Sequence, residues 1–169
     1  MRVFKYYDCH NVTEIRKGLF ISGRRDVAEM VQAGVDVLLP LDSLRGDVWE
    51  TGFRGEILYY PIMDCGVLPD DVLDRLIDDI FRRLDAGKRV GMFCIGGHGR
   101  TGYVAACVLA RDGVENPIAY LHEHYCRFAV ESDEQREAIR RFQNKLPERM
   151  DGKNLPPVPL PFLGRGNGH

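Results

Sequence analysis

The sequence predicts an α/β domain in which helices flank a central, mostly parallel sheet of four or five strands. Two observations lead to this prediction. Apolar runs of strand length alternate with segments whose apolar residues recur at helical spacing, and the C-terminal part of the pattern is helical only. Ligands in such sheets bind beyond the carboxyl ends of the strands, so the loops that follow strands are the first candidates for a functional site.

The predicted strands are apolar runs bounded by turn residues. They lie at residues 18–22, 35–41, 56–62 and 89–93. The segment between the second and third strands, "DSLRGDVWETGFRG", is polar and contains glycines, and it predicts a loop.

The predicted helices are marked by their boundary residues. The clearest helix begins at Pro69, carries aspartates in its first turn and arginines in its last, and ends at Gly87. Ser132 and Gln135 fit a capping box at the start of the last helix. The other helices are predicted at residues 25–33 and 101–111 and after Asn116.

The composition predicts one ordinary globular domain. The chain has 169 residues, of which 44% are hydrophobic and 28% are charged, enough for a single sizeable core. We expect the domain to span residues 1–147 and a Pro- and Gly-rich tail, extended or disordered, to span residues 148–169. Five cysteines without a Cys-x-x-Cys pair predict reduced thiols and no structural zinc site.

Charge and hydropathy argue against several classes of partner. A net charge of −2 at pH 7 gives no basic field for nucleic acid. No apolar run approaches the ~20 residues of a membrane-spanning helix, and the amino terminus lacks the apolar core of a secretion signal. The sequence therefore predicts a cytoplasmic protein without stable membrane insertion, and it carries no signal for a particular oligomeric state.

The segment "CIGGHGRTG", residues 94–102, connects the fourth predicted strand to a helix. A glycine-rich turn at a helix start directs several backbone N–H groups into one concavity, where the helix dipole also favours an anion. Arg100 adds a planar guanidinium that binds two phosphate oxygens at once. Cys94 would lie at the base of this electropositive concavity, where the thiolate is stabilised and becomes a nucleophile.

Two other interpretations of this segment are possible on the residues alone. Cys94 fits a buried strand residue, with the glycines forming only a turn. That interpretation does not explain why the cysteine, the glycines and the arginine occur together between a strand and a helix. A nucleotide-binding Walker loop does not fit, because Cys94 occupies its first glycine position and Arg100 its lysine position. The pattern therefore favours a phosphate cradle that contains a nucleophile.

The same nine residues resemble the Cys-x5-Arg-Ser/Thr signature of the cysteine-dependent protein tyrosine phosphatase superfamily. From Gly18 to Phe142 the chain is similar to the dual-specificity branch, in particular to kinase-associated phosphatases with a Cys-x-Gly-Gly-x-Gly-Arg loop. The resemblance implies a dual-specificity phosphatase-like fold, Cys94 as the nucleophile, and no cofactor or metal. It also implies that phosphate binds the loop residues Ile95, Gly96, Gly97, His98, Gly99 and Arg100.

Cleavage of a phosphate ester needs a proton for the leaving oxygen, so a carboxylic acid should face the cradle. The segment "YYPIMDCGVLPD" follows a strand and opens on the same side of the sheet as Cys94. In the resembled family a Pro-x-x-Asp loop at this location carries the general acid, and Asp64 matches it; the alternative is an aspartate that only forms a turn. Thr101 is implied to donate its hydroxyl to the Cys94 sulfur, or else it serves only the helix start.

Two further residues are accessory candidates. Gln135 lies in "AVESDEQ", which is similar to a segment where some relatives place a glutamine near the pocket, although the capping box alone explains it. Cys65 follows the expected acid, and if its loop closes over the pocket it would trap oxidised Cys94 in a disulfide.

The chain departs from the family pattern beside the nucleophile. Relatives usually have a histidine immediately before it, where this chain has Phe93, so a polar contact that steadies the thiolate or the loop is lost. His98 lies inside the loop instead, where its imidazolium would lower the pKa of Cys94 or contact an acidic substrate, unless its side chain points into solvent. Some phosphoinositide-directed relatives have lysine at this place, so a non-protein substrate remains an alternative.

Together these residues predict a metal-independent phosphatase that hydrolyses phosphotyrosine or phosphoserine/threonine proteins through a phosphocysteine. The expected partner is a phosphorylated protein or a small phosphorylated molecule, with phosphoinositides and nucleotides as alternative substrates. A catalytically silent phosphate-binding module would not need Cys94, Thr101 and Asp64 together. A rhodanese-type sulfur transferase would not need the Arg-Thr-Gly ending or the acid loop.

Overall fold

The computed structural model describes residues 11–147, and the predicted tail lies outside this range. Its strands are β1 (Thr13–Arg16), β2 (Leu19–Gly23), β3 (Val37–Pro40), β4 (Glu56–Ile57) and β5 (Val90–Cys94). They form one sheet in the order β1-β2-β5-β3-β4. Strand β1 pairs antiparallel with β2, and the other pairs are parallel. The predicted α/β class with a mostly parallel sheet is confirmed.

The helices are α1 (Val27–Gln32), α2 (Asp47–Glu50), α3 (Asp70–Asp85), α4 (Gly99–Arg111), α5 (Pro117–His124) and α6 (Asp133–Lys145). The Asn116 side chain accepts a hydrogen bond from Ala119 N and caps α5. Ser132 and Gln135 form the predicted capping box of α6. Between residues 11 and 147, no helix combines the length and apolar character that crossing a membrane requires.

Three elements differ from the prediction, and all three are short. Strand β1 and helix α2 each have only four residues, too few for periodicity to indicate them. The third predicted strand, 56–62, shrinks to Glu56–Ile57, because it lies at the sheet edge and Pro61 has no N–H to donate. The chain beyond it still follows β3, since Leu58 N donates to Leu38 O at 2.9 Å.

The sheet separates two apolar clusters, and alternate residues of β5 face opposite sides. Met92 and Cys94 belong to the larger cluster, together with residues of α3, α4 and α6. Phe93 belongs to the smaller cluster, together with residues of α1. Helix α4 is buried from Gly99 to Ala110. The loop between β5 and α4 is therefore fixed at both ends by elements of the core.

Candidate active site

The loop of residues 95–98 begins at the carboxyl end of the central strand. In the sheet register Cys94 pairs with Gly23 of β2, and the preceding Phe93 pairs with Pro40 of β3. Arg24 N donates to Ile95 O at 3.3 Å as the chain leaves the strand. The loop thus opens where parallel strands end, at the place predicted for a ligand.

Gly97 is required by the path of this loop. Its φ is +76°, and an added Cβ would lie 2.4 Å from Gly23 N, so no other residue fits without moving β2. On the other side the Tyr125 hydroxyl donates to Gly97 O at 2.5 Å. Burial, followed by the nearby Cys94 and Asp26, raises the pKa of Tyr125 well above its usual value. Tyr125 follows the last residue of α5, and the sequence indicated no role for it in the site.

A cavity of about 180 Å³ opens above the loop. Its lining residues are Asp64, Cys94, Ile95, Gly96, His98, Gly99, Arg100 and Glu131. The sequence predicted all of them as site residues except Glu131. A larger cavity of about 650 Å³ lies between α3, α4 and α6, but it includes none of the predicted site residues.

Arg100 connects the loop to the segment that carries Asp64. Its guanidinium is buried, and Nη1 donates to Ile62 O at 3.1 Å. Its Nη2 lies 3.6 Å from Asp64 Oδ1, and the Asp64 side chain is 79% exposed. The same Asp64 oxygen accepts a hydrogen bond from Cys65 N at 3.1 Å. The structure therefore brings Cys94, Arg100 and Asp64 to one cavity.

Thr101 lies in the first turn of α4 and is completely buried. Its Oγ1 has no hydrogen-bond partner within the described residues. Leaving a buried hydroxyl unsatisfied costs about 1–3 kcal/mol. The Thr101 hydroxyl is therefore free to donate a hydrogen bond.

The His98 side chain is turned into the protein and does not point into solvent. Only 12% of it is exposed, and its Nε2 lies 3.5 Å from Glu131 Oε1. Glu131 precedes the capping box of α6. Sequence reasoning missed this residue, because an acidic residue at a helix start is ordinarily explained by the helix dipole.

Neither of the two accessory candidates lines the cavity. Gln135 is buried; its Oε1 accepts from Glu131 N at 2.8 Å and its Nε2 donates to Gly66 O at 3.3 Å. Cys65 is exposed, and burial, followed by the nearby Glu131 and Asp64, raises the pKa of its thiol. A higher pKa leaves less thiolate for exchange with an oxidised cysteine.

The expectation that the cysteines are reduced is wrong for Cys126. Cys126 is disulfide-bonded, whereas Cys65, Cys94 and Cys107 are free thiols. A pairing of this kind depends on the path of the chain and not on local spacing, so the sequence could not indicate it.

Phe93 belongs to a supporting network that the sequence did not suggest. The Arg24 guanidinium lies 5.2 Å from the centre of the Phe93 ring, and Nη2 donates to Asp42 Oδ1 at 2.7 Å. Arg24 Nη1 donates to Asp47 Oδ1, and Nη2 also donates to the Ser43 carbonyl. Burial acts to raise the pKa of Asp42, but hydrogen bonds from Arg24 and the Ser43 backbone outweigh it and hold that pKa below its usual value.

Arg24→Gln should lower the free energy of unfolding at pH 7 by about 3–5 kcal/mol, because it leaves the Asp42 carboxylate buried without a cation. The folded-state pKa of Asp42 is depressed, so the wild-type contribution is present above the unfolded pKa of about 4 and is lost as pH falls through the folded value. The difference between variant and wild type should therefore shrink on acidification. Urea unfolding at several pH values measures it.

Arg82→Gln is the matched control, since Arg82 is exposed and forms an ion pair with Asp79 of its own helix. It should change stability by less than about 1 kcal/mol. Equal destabilisation by the two variants at pH 7 would contradict a structural role for Arg24.

Comparison with known proteins identifies the family. A family model described as "Swiss Army Knife protein, DSP-PTPase phosphatase domain" (PTP-SAK) matches residues 22–151. Two proteins of Methanocaldococcus jannaschii, both described as uncharacterized, are 44% identical over 88 residues and 41% identical over 93 residues. These matches cover 52% and 55% of this chain and 60% and 58% of those proteins. The chain thus spans less than two thirds of the length of either relative.

Solved structures share the fold. Tk-PTP in its active form is 26% identical with a TM-score of 0.68, over 80% of this chain and 98% of that one. A kinase associated phosphatase is 18% identical with a TM-score of 0.65, and the match covers 82% of this chain and 96% of that one. PTPMT1 in complex with PI(5)P is 14% identical with a TM-score of 0.61, and the match covers 80% of this chain and 94% of that one. The last two show the fold alone. The family match includes β3, β4 and β5, the loop and the cavity, and this chain belongs to the PTP-SAK family of DSP-PTPase phosphatase domains.

Proposed function

We propose that this chain is a cysteine-dependent phosphatase that hydrolyses phosphate monoesters through a phosphocysteine on Cys94. The observation that carries the proposal is one cavity of about 180 Å³ that joins Cys94, Arg100 and Asp64. A nucleophile, an anion clamp and a proton donor are the groups that cleavage of a phosphate ester needs. The phosphatase family of the chain supports the same chemistry.

In the first step the phosphoryl group binds the amides of residues 95–100 and the Arg100 guanidinium. Bound phosphate takes over the Arg100 guanidinium that otherwise lies 3.6 Å from Asp64 Oδ1. The Cys94 thiolate attacks phosphorus in line, so the S–P bond forms as the P–O bond to the leaving group breaks. Asp64 gives its proton to the departing oxygen.

In the second step water attacks the phosphocysteine. A new P–O bond forms, the S–P bond breaks, and the electron pair returns to the Cys94 sulfur. Asp64, now a carboxylate, takes a proton from the water. Thr101 donates its hydroxyl to the departing sulfur. The support for this role is that Thr101 Oγ1 is buried without a partner in the described part of the chain.

We propose phosphorylated proteins as the substrate class, at tyrosine and/or serine and threonine. The support is electrostatic: Glu131 and Asp64 both line the cavity, and His98 lies 3.5 Å from Glu131. Two carboxylates at the wall repel the additional phosphates of a nucleotide or a polyphosphorylated head group. A phosphoinositide, the ligand in the PTPMT1 structure, is therefore the less favoured substrate.

The test is hydrolysis of an aryl phosphate by the purified chain, followed by acid quench and mass mapping of the peptide that contains Cys94. We expect turnover and a phosphorylated peptide that includes Cys94. A catalytically silent module would bind inorganic phosphate without turnover, and phosphate release without a phosphorylated cysteine would contradict the proposed intermediate.

A further inference from the structure

The larger cavity, of about 650 Å³, lies on residues of α3, α4 and α6 that the proposed mechanism does not use. Its volume falls within the range of about 300–1,000 Å³ that is typical of ligand pockets. Its apolar lining comes from Ala110 of α4, from Phe142 of α6, and from Leu146 and Pro147, which follow α6. We call this cavity, with its lining residues, the α6 groove.

The charged side chains that line the α6 groove are paired with each other. Arg111 Nη1 lies 2.6 Å from Asp78 Oδ1, and Lys145 Nζ lies 2.9 Å from Asp74 Oδ2. Because each cation has a carboxylate partner inside the domain, the groove offers no unbalanced charge to an ionic ligand. The surface that a ligand can still cover is the apolar lining, so the groove fits an uncharged and apolar occupant.

The chain contains a segment of this character. Residues 155–163, "LPPVPLPFL", include no charged residue. Four of these nine positions are proline, which has no N–H to leave unsatisfied in an apolar groove. Proline runs of this kind favour the polyproline II conformation, which loses little entropy on binding and docks in grooves with aromatic residues. The composition of residues 155–163 therefore matches the apolar lining of the α6 groove.

The connection between the groove and this segment is short and can reverse direction. Pro147 lines the groove, and residues 148–154, "ERMDGKN", separate it from Leu155. Seven residues span at most about 25 Å, and Asp151–Gly152 is a pair typical of turns that direct the chain back. A short tether gives an effective concentration on the order of millimolar. Contacts too weak to hold a separate peptide are therefore enough to fill the groove.

We propose that residues 155–163 dock in the α6 groove of the same chain, with Phe162, the largest side chain of the segment, against Leu146. The docked segment covers apolar surface at the ends of α4 and α6 and thereby stabilises the domain. Ala110 lies about 17 Å along α4 from Gly99, where the phosphate loop meets the helix. Docking at this distance is independent of the phosphatase chemistry proposed above.

Phe162→Asp in the full chain tests the docking, because it replaces the proposed anchor with a charge that the apolar lining cannot satisfy. NMR of the wild type should show nuclear Overhauser contacts between the Phe162 ring and the Leu146 methyl groups, with intensities that do not change on dilution. The variant should lose these contacts, and its melting midpoint should fall by about 2–5 °C. Asn167→Asp is the matched control, since it adds the same charge outside residues 155–163, and its midpoint should equal that of the wild type.

Leu146→Ala completes a double-mutant cycle with Phe162→Asp. Leu146 also packs against the core, so Leu146→Ala lowers the midpoint by itself. In that background, Phe162→Asp should lower the midpoint by less than about half as much as it does in the wild type. Additive shifts, or a wild type without contacts between Phe162 and Leu146, would overturn the proposal. Contacts that appear only at high protein concentration would also overturn it, because the groove would then hold the tail of a second copy.

Turnover of an aryl phosphate separates this proposal from the proposed function. It should be the same for the wild type and for Phe162→Asp at a temperature where both are folded, because the groove contains none of the proposed catalytic residues. An inactive wild type would contradict the phosphatase mechanism and leave the NMR contacts and melting shifts unchanged.

Discussion

Cys94→Ser should lower turnover of an aryl phosphate by at least about 10⁴-fold while inorganic phosphate still binds. A serine hydroxyl at this place does not ionise near neutral pH, so the attacking thiolate is lost. The amides of residues 95–100 and the Arg100 guanidinium are unchanged, so the anion site remains. Steady-state kinetics and calorimetric titration with phosphate measure the two properties separately.

Cys107→Ala provides the matched control. Cys107 is a completely buried thiol of α4 outside the cavity, and burial, followed by the Asp74 charge, raises the pKa of this thiol far above its usual value. It stays protonated and packs as an apolar side chain. We expect this variant to keep its turnover at a temperature where it is folded. Comparable activity of Cys94→Ser and wild type would show that the nucleophile is a different group.

Asp64→Asn should lower turnover of an alkyl phosphate by about 10²- to 10⁴-fold, the usual contribution of a general acid. The loss should be smaller for a nitrophenyl phosphate, because its leaving oxygen departs without a proton. The Asn side-chain oxygen can still accept the hydrogen bond that Asp64 Oδ1 receives from Cys65 N. The loop conformation is thereby retained, and a series of leaving groups isolates the missing proton.

Asp71→Asn is the control for Asp64→Asn, since Asp71 lies exposed in the first turn of α3. It should leave both substrates unaffected. If Asp64→Asn slowed alkyl and nitrophenyl phosphates by the same factor, Asp64 would act on binding and not as the proton donor.

The parts of the site that depend on local sequence were predictable. A strand, a glycine-rich turn and a helix start follow one another from residue 90 to residue 102, so the loop and its cavity follow from the order of residues. The position of Asp64 was predictable for the same reason, because Asp64 follows a predicted strand of the same sheet. The loop of residues 95–98 begins at the carboxyl end of β5, and Asp64 lies in the segment that follows β4.

The missed residues depend on how distant segments meet. Glu131 lines the cavity and follows Val130, which has a φ of +68°. Valine rarely adopts a positive φ, so the sequence does not predict this turn. Arg24 meets Asp42 through the pairing of the sheet, and Tyr125 meets Gly97 from the end of α5. Phe93 was expected to weaken the loop, but it faces the opposite side of the sheet and packs under Arg24.

The burial of α4 decides which part of the site can change shape during a catalytic cycle. Gly99, Arg100 and Thr101 belong to a helix enclosed by the core, so the cradle is preorganised and binding an anion there requires almost no reorganisation. Asp64, by contrast, is 79% exposed. Its loop accepts hydrogen bonds from Ser132 and Gln135. We therefore expect any rearrangement during the proposed catalytic cycle to involve the loop of Asp64, the proposed proton donor, while the loop that follows Cys94, the proposed nucleophile, stays fixed.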